Sequence, residues 1–374
     1  MYSLYGIPIP INETSVSKIT SDTNTAKKLQ QTKIVIIDEC TMAQIHALNV
    51  IDRLLGDVMT THVANKKQVP FEGKVLALGG DFRQCLPVLA NATKAEIVDC
   101  CVKYSKQWKN FTRLPLLNNV RSTDPEYSRW LLKLRNGELS NEHSLGDDVT
   151  EIPPDMLSSG CSVTDIFGQN ITINVNDTES VHTAASHAIL CPKNEDVHLL
   201  SSQIMERISG EYILYTSDNS VDSDEADDHE QYPVEFLNSL TPSGMPPHRL
   251  QLKMGTIVML LRNLNTNKGL CNGTRLMAAA LHPNIIQAKV ITGSAEGNIV
   301  FIPRIDLCPS ETRLPFTLRR RQFPVKPAFA MTIYKSQGQS LNRVGIYFPG
   351  PAFAHGLPYV AFSGVKLPCQ SESD

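Results

Sequence analysis

Four consecutive apolar positions, Ile34-Val35-Ile36-Ile37, follow a polar opening in which residues 1–32 show no long periodic element. A β-branched run with no polar face predicts a strand of a parallel sheet covered on both sides. Lys74 to Leu78 repeats the pattern and stops at Gly79-Gly80-Asp81. Between the two runs Ile45, Leu48, Ile51 and Leu55 recur at helical spacing, so strand, helix and strand alternate as in an open α/β sheet. Residues 141–183 are rich in Ser, Asp, Asn and Thr and predict a loop-rich linker. A second α/β unit is expected from Ala188-Ile189-Leu190-Cys191, followed by a helix with Val197, Leu200, Ile204 and Ile208 on one face.

After Pro233 the pattern shortens. Residues 255–261, 274–281, 285–291 and 299–302 are strand-like runs separated by turns such as Asn272-Gly273 and His282-Pro283-Asn284. Short strands at this spacing predict a small β-barrel inserted into the second α/β unit. From Phe323 the α/β pattern returns, with 344–348 as a further strand.

Length and composition narrow the classes. At about 150 residues per domain, 374 residues make roughly two to three domains, and 41% apolar with 20% charged residues is ordinary for globular chains. No apolar run reaches the length of a membrane span, and the first residues show no secretory signal. Nine cysteines without a C-x-x-C pair predict a reduced intracellular compartment rather than a disulfide scaffold. Ten histidines without metal-ligand spacing argue against a zinc enzyme. Net charge is only −3, but residues 249–343 hold fourteen Lys/Arg against three Asp/Glu. Such a basic segment suits a polyanion partner; a basic domain shielded by acidic neighbours is the other reading. Seven acids within 218–230 are expected to form a solvated loop that repels DNA.

Candidate chemistry gathers at the strand ends. Ligands of open parallel sheets bind there, so Asp38 and Glu39 are placed to meet a bound phosphate; a solvated turn is the alternative. Gly79-Gly80-Asp81-Phe82-Arg83-Gln84 sets a carboxylate and an amide at the neighbouring strand end, where glycines allow close approach. Arg121, and Lys335-Ser336-Gln337-Gly338-Gln339, are weak signals in isolation. Arg275, Arg319, Arg320, Arg321 and Lys326 are candidate phosphate contacts, and Phe353, His355 and Tyr359 are candidates to stack bases or to pack in the core.

Taken together these stretches resemble the Pif (petite integration frequency) family of superfamily-one DNA helicases, in the form carried by Helitron transposons. The matching residues are 36–39, 79–88, 118–121, 190–197, 236–240, 270–275 and 328–339, in family order. The resemblance implies two RecA-like parallel-sheet domains, the first incomplete, with an SH3-like barrel inserted in the second. Its expected boundaries are a remnant at 1–32, the first domain and linker at 33–180, the second at 181–232 and 315–374, and the barrel at 233–314. It also implies ATP with Mg²⁺ as cofactors, single-stranded or forked duplex DNA as partner, and no membrane. The activity implied is 5′→3′ unwinding in repair, recombination, telomere maintenance or transposon replication. By the same resemblance Asp38 holds Mg²⁺, Glu39 polarises the attacking water, and Gln84 and Arg121 meet the γ-phosphate. Asp81, Thr332, Lys335, Gln337 and Gly338 couple nucleotide to DNA.

The chain departs from the family pattern in two major places, and in a smaller way at Tyr334, where members usually carry His or Asn. No G-x-x-x-x-G-K-[ST] occurs in the 374 residues, and Met1 to Ser17 resembles the family's stretch just downstream of it. N-terminal truncation and an unpaired sheet edge are therefore expected. In Tyr359-Val360-Ala361-Phe362-Ser363-Gly364 the last residue replaces an arginine finger, a group worth about 10³–10⁵ in rate. The expectation is a helicase by family that hydrolyses ATP poorly as this chain. The competing reading is a non-catalytic, single-strand-binding transposon remnant. The nucleus is the expected compartment, with the mitochondrion as alternative.

Overall fold

The computed structural model describes residues 2, 4–59, 69–89, 92–116, 120, 122, 124–139, 149–158, 160–174, 177–222, 232–293, 295–309, 314–339, 341–354 and 356–365. It divides into two units, Met1–Leu139 with Ala352–Val360, and Ser140–Pro351 with Ala361–Asp374.

Unit 1 runs α1 (Asn24–Gln31), β1 (Ile34–Ile37), α2 (His46–Met59), β2 (Val75–Leu78), α3 (Lys94–Asp99) and α4 (Pro125–Asn136). Thr23 caps α1 by accepting the Ala26 N–H, and Asp124 caps α4 by accepting from Glu126 and Tyr127. The strands β1 and β2 are parallel, with Ile34 opposite Val75 and Ile37 opposite Leu78. Val35 and Ile37 bury against Leu48, Ile51 and Leu55 of α2, as the helical spacing predicts.

One expectation needs correction here. The β1 strand is not covered on both faces: Ile34 and Ile36 remain 59% and 77% exposed. Among the described residues two strands form this sheet, and its core lies on one side. Residues 1–32 are part of this unit. Tyr5, Ile7, Ile11, Ala26 and Leu29 belong to the same core, and α1 packs on α2.

In unit 2, α5 (Ser162–Phe167) and α6 (Thr178–Ser186) precede β3 (His187–Cys191) and α7 (Asn194–Arg207). Part of the expected linker is therefore helical, with Val163 and Ile166 of α5 buried. Next come β4 (Ile213–Thr216), β5 (Asp218–Val221), α8 (Val234–Ser239), β6 (Arg249–Leu252), β7 (Ile257–Leu260), β8 (Arg275–Leu281), β9 (Ile285–Val290) and β10 (Ile299–Pro303). The order ends with β11 (Ile305–Leu307), β12 (Leu318–Gln322), β13 (Val325–Pro327), β14 (Ala330–Thr332), α9 (Ile333–Ser336) and β15 (Arg343–Ile346), and α10 (Leu357–Ser363) is divided between the units at Val360.

The α/β part is a parallel sheet ordered β14-β3-β15 with α5, α6 and α7 packed on it. The β part has a five-stranded sheet, β10-β9-β8-β7-β13, with β4-β6 and β11-β12-β5 as smaller sheets. Tyr215, Leu250, Leu252, Leu276, Ile286 and Phe323 share its core. The expected insertion at 233–314 is too narrow. Strands β4 and β5 enter before it, and β12 and β13 close it afterwards because Val325–Pro327 pairs antiparallel with Val258–Leu260. Of the acidic run, Asp218–Val221 is strand β5, and 223–230 lies outside the described residues. Among the described residues no helix is long and apolar enough to cross a membrane.

Candidate functional site

The chain turns sharply where β1 ends. Asp38 is exposed, and Glu39 takes left-handed backbone, φ 52° and ψ 42°, before the 3₁₀ turn Cys40–Met42. For a residue with a Cβ this conformation costs about 1–2 kcal/mol, and such positions cluster at functional sites. Parallel register brings Asp38 and Gly79 off the sheet side by side. The Gly79 N–H donates to the Ile37 carbonyl and the Cys40 N–H to the Gly79 carbonyl, both at 2.9 Å. A Cβ on Gly79 would stand 3.0 Å from Asp38 Oδ1, and one on Gly80 3.0 Å from Thr41 Cγ2. The glycine pair is what lets the carboxylate-bearing turn lie against the end of β2.

Asp38 Oδ1 accepts the Glu39 N–H at 2.9 Å, and no described residue donates to Oδ2. Glu39 is half-buried, and its charge is felt by two buried thiols. Burial first, and Glu39 second, push Cys40 up to about 11 and Cys85 up to about 12. Both thiols stay protonated at neutral pH, so cysteine nucleophilic chemistry does not belong to this turn.

Asp81 is paired with Arg135: Nη2 and Oδ1 are 3.2 Å apart, with the side chains 19% and 25% exposed. Asp81 Oδ1 also accepts the Arg83 N–H at 3.1 Å, while the Gln84 N–H donates to the Asp81 carbonyl at 2.9 Å. The Arg135 guanidinium lies 5.7 Å from the Tyr359 ring centre, so Tyr359 takes part in a cation–π contact. Gly356, at φ 75°, fits against Gln84, since a Cβ there would come within 2.6 Å of the Gln84 carbonyl. Sequence reasoning missed Arg135. In the last turn of α4 it reads as a surface cation complementing the helix dipole, and nothing local marks its partner. Phe353 is 58% exposed. Arg121, Asn118, Asn119 and His355 lie outside the described residues.

In unit 2, Thr332 ends β14 opposite Cys191 of β3, is 8% exposed and stands at the N-cap of α9. Lys335 and Gln337 are half-buried, and Gly338 closes the turn at φ 78°. Burial foremost pushes the Lys335 ammonium down, Arg262 adds to this, and a hydrogen bond with Lys326 opposes it. Burial, then the charge of Lys335, pushes Lys326 down to about 8. The structure thus brings together two lysines expected near phosphates.

Two of the candidate phosphate contacts are corrected. Arg275 is 1% exposed and donates to the carbonyls of Ala185 and Ala328; burial lowers its pKa to about 10. Arg320 is fully buried and donates to Asn219 Oδ1 at 2.7 Å and to the carbonyls of Leu237, Leu240 and Pro246 at 2.9–3.1 Å. The cause is strand alternation: along β12 residues 318, 320 and 322 face inward, so the basic triplet is split between core and surface. Arg319 and Arg321 face outward and share Asp306, at 2.6 and 3.2 Å. Gly364 is buried, and its carbonyl accepts the Leu341 N–H at 3.1 Å.

Among the described residues no cluster of three or more His, Cys, Asp or Glu could hold a metal by itself. Asp38 fits a different arrangement. Magnesium at a nucleotide keeps most of its waters and takes one or two carboxylates beside the phosphates. An exposed carboxylate with Oδ2 not engaged by a described residue meets that need. The 374 residues themselves contain no G-x-x-x-x-G-K-[ST] phosphate cradle.

Comparison with known proteins gives the same direction. Residues 1–144 match the family model of PIF1-like helicases, and 235–281 match that of the DNA helicase Pif1 2B domain. The ATP-dependent DNA helicase PIF1 of Danio rerio is 25% identical over 339 residues, covering 89% of this chain and 45% of that protein. The Homo sapiens counterpart is 26% identical over 346 residues, covering 89% and 44%, and that of Emericella nidulans 25% over 419, covering 97% and 50%. The chain therefore spans about half the length of the curated relatives it matches. Among solved structures, Bacteroides Pif1 bound to single-stranded DNA superposes with a TM-score of 0.68 at 21% identity, covering 98% of this chain and 76% of that one. At that identity the match establishes the fold alone, a RecA-like α/β fold with parallel sheets.

Proposed function

We propose that this chain, matched over residues 1–144 and 235–281 by models of PIF1-like helicases, forms the motor part of an ATP-dependent DNA helicase that moves 5′→3′ along single-stranded DNA. The observation that carries this reading is the Asp38-Glu39 turn set against Gly79–Asp81 at the adjoining carboxyl ends of β1 and β2. Phosphoryl transfer asks the protein mainly for positioning and charge neutralisation. In this reading Asp38 holds the magnesium ion, which would neutralise charge on the phosphates. The strained Glu39 orients and polarises the attacking water, and Gln84, wedged against Gly356, responds to the γ-phosphate. Arg121 meets the same phosphate. On unit 2, Thr332, Lys335, Gln337 and Gly338 link nucleotide state to the strand.

A second reading is favoured by two observations. The 374 residues hold no phosphate-loop lysine, and a buried Gly364 stands at the arginine-finger position. In that reading these residues bind a single strand without turning over ATP.

ATP turnover by residues 1–374, measured with and without oligothymidine alongside strand affinity, separates the two. Salt-sensitive binding with turnover near background selects the second reading, as a lost finger, worth about 10³–10⁵ in rate, would produce. DNA-stimulated turnover selects the first reading outright. Absence of both binding and turnover overturns both.

A further inference from the structure

In unit 2 a cavity of about 190 Å³ opens where α7 meets β6 and β13. Its polar lining includes His198, Ser201, Glu206, Arg249 and Lys326. One of these has no hydrogen-bond partner, and another has no counter-ion, among the described residues. Ser201 is 7% exposed, and its hydroxyl has no hydrogen-bond partner among the described residues. Lys326 is 9% exposed; it shares a hydrogen bond with Lys335, whose charge also acts on it, Arg262 stands next to Lys335, and burial first and Lys326 second push the His198 imidazole down. No carboxylate partner balances this group of cations among the described residues; Glu206 is the one acid in the lining.

A buried ammonium without a counter-ion is costly, and so is a buried hydroxyl without a partner. One ligand chemistry removes both costs: an oxyanion with several acceptor oxygens, which lysine binds as a point charge. At about 30 Å³ per displaced water, the space admits a tetrahedral phosphate with part of its ester. We propose that this cavity is a phosphate site in which Lys326 and Ser201 hold one phosphodiester of a bound strand, with His198 and Arg249 as the more exposed contacts. The source of the phosphate rests on the reading that these residues bind a single strand; the phosphate chemistry does not.

The test uses the full 374-residue chain and two probes, a labelled oligothymidine of about 16 nucleotides and inorganic phosphate. Oligothymidine affinity is measured from about 50 to 200 mM salt, and phosphate binding by ³¹P line broadening. For Lys326→Met we expect affinity to fall about five- to tenfold. The slope of log affinity against log salt should shrink by about 0.7, the value of one lost single-strand phosphate contact. Lys326→Arg should keep the slope, a rescue that a purely packing role would not produce. Ser201→Ala should weaken binding about two- to threefold with the slope unchanged, and phosphate broadening should disappear in Lys326→Met. Lys326-dependent phosphate binding without any oligothymidine binding would uphold the site, assign it to free phosphate and remove the strand reading. An unchanged slope and affinity in Lys326→Met would overturn the proposal. If that variant does not fold, Ser201→Ala decides, and wild-type affinity for both probes would overturn it.

Discussion

Two short parallel sheets carry the candidate chemistry, and they are covered to very different extents. In unit 2, Ala188, Ile189, Leu190 and Cys191 of β3 are all buried, with β14 and β15 as neighbours and α5, α6 and α7 packed on the sheet. In unit 1, Val35 and Ile37 are buried but Ile34 and Ile36 of the same strand, and Val75 of β2, face outward. Unit 2 goes further and encloses charges: Arg275, Arg320, Lys253 and Lys326 are each 9% exposed or less. An apolar run therefore states what a strand can bury. What it does bury is set by strands and helices elsewhere in the chain.

The comparison breaks most directly at one position in each sheet. Ile189→Ala removes a fully buried side chain and is expected to cost about 2–5 kcal/mol. Ile36→Ala, at 77% exposure, is expected to cost less than about 0.5 kcal/mol. Urea unfolding followed separately in each unit, for example with a fluorophore on an exposed residue, checks the pair. Equal losses would mean that the outer face of β1 is covered in solution.

The same contrast marks how far the sequence was legible. The strand–helix–strand rhythm, the helical face of α7 and the four-residue strands came through because each is decided by local period and propensity. The coverage of β1, the helices α5 and α6 within a polar stretch, and the outer bounds of the β module did not, because they depend on non-local pairing. At the site, Asp38, Glu39 and the Gly79-Gly80 pair were legible, since strand ends and glycines carry positional meaning in an α/β chain. Arg320 was read as a surface cation because a triplet of arginines hides strand alternation. Ser201 and Arg135 had no local signal at all, since one is an unremarkable helix serine and the other an ordinary last-turn cation.

Arg320 and Lys326 sharpen the comparison within unit 2. Arg320 has four hydrogen-bond acceptors for its buried charge, whereas Lys326 has cations for neighbours. Burial sets the Lys326 pKa at about 8, below the ordinary 10.5. The folded protein thus holds fewer protons than the unfolded chain between these values, and stability rises with pH across that window. Below about pH 8 the ammonium is buried charged and its cost is felt in full. Lys326→Met is expected to raise stability at pH 7 by about 1–3 kcal/mol and to flatten the rise between pH 8 and 10.5. Thermal unfolding of both proteins across that range tests it, and a destabilised variant with an unchanged pH slope would show that Lys326 is held by interactions stronger than its desolvation.

The smallest effect separates strain from function in unit 1. Glu39 is one of three non-glycine residues with positive φ among the described residues, and it sits between the exposed Asp38 and the buried Cys40. Glycine adopts φ 52° and ψ 42° without the Cβ penalty, but it also enlarges the entropy of the unfolded chain. The net gain expected for Glu39→Gly is therefore at most about 1 kcal/mol. A second consequence should accompany it: without the Glu39 carboxylate, Cys40 and Cys85 lose a neighbouring negative charge that raises both thiols. Their pKa values should fall while burial keeps them above the ordinary range. Thiol titration of the variant by pH-dependent alkylation reads this directly. A more stable protein with less elevated thiols would mean that the turn holds its glutamate against local preference, as a residue kept for chemistry is held. A less stable one would mean that Glu39 braces the turn, and the carboxylate would then have a structural reason to be there.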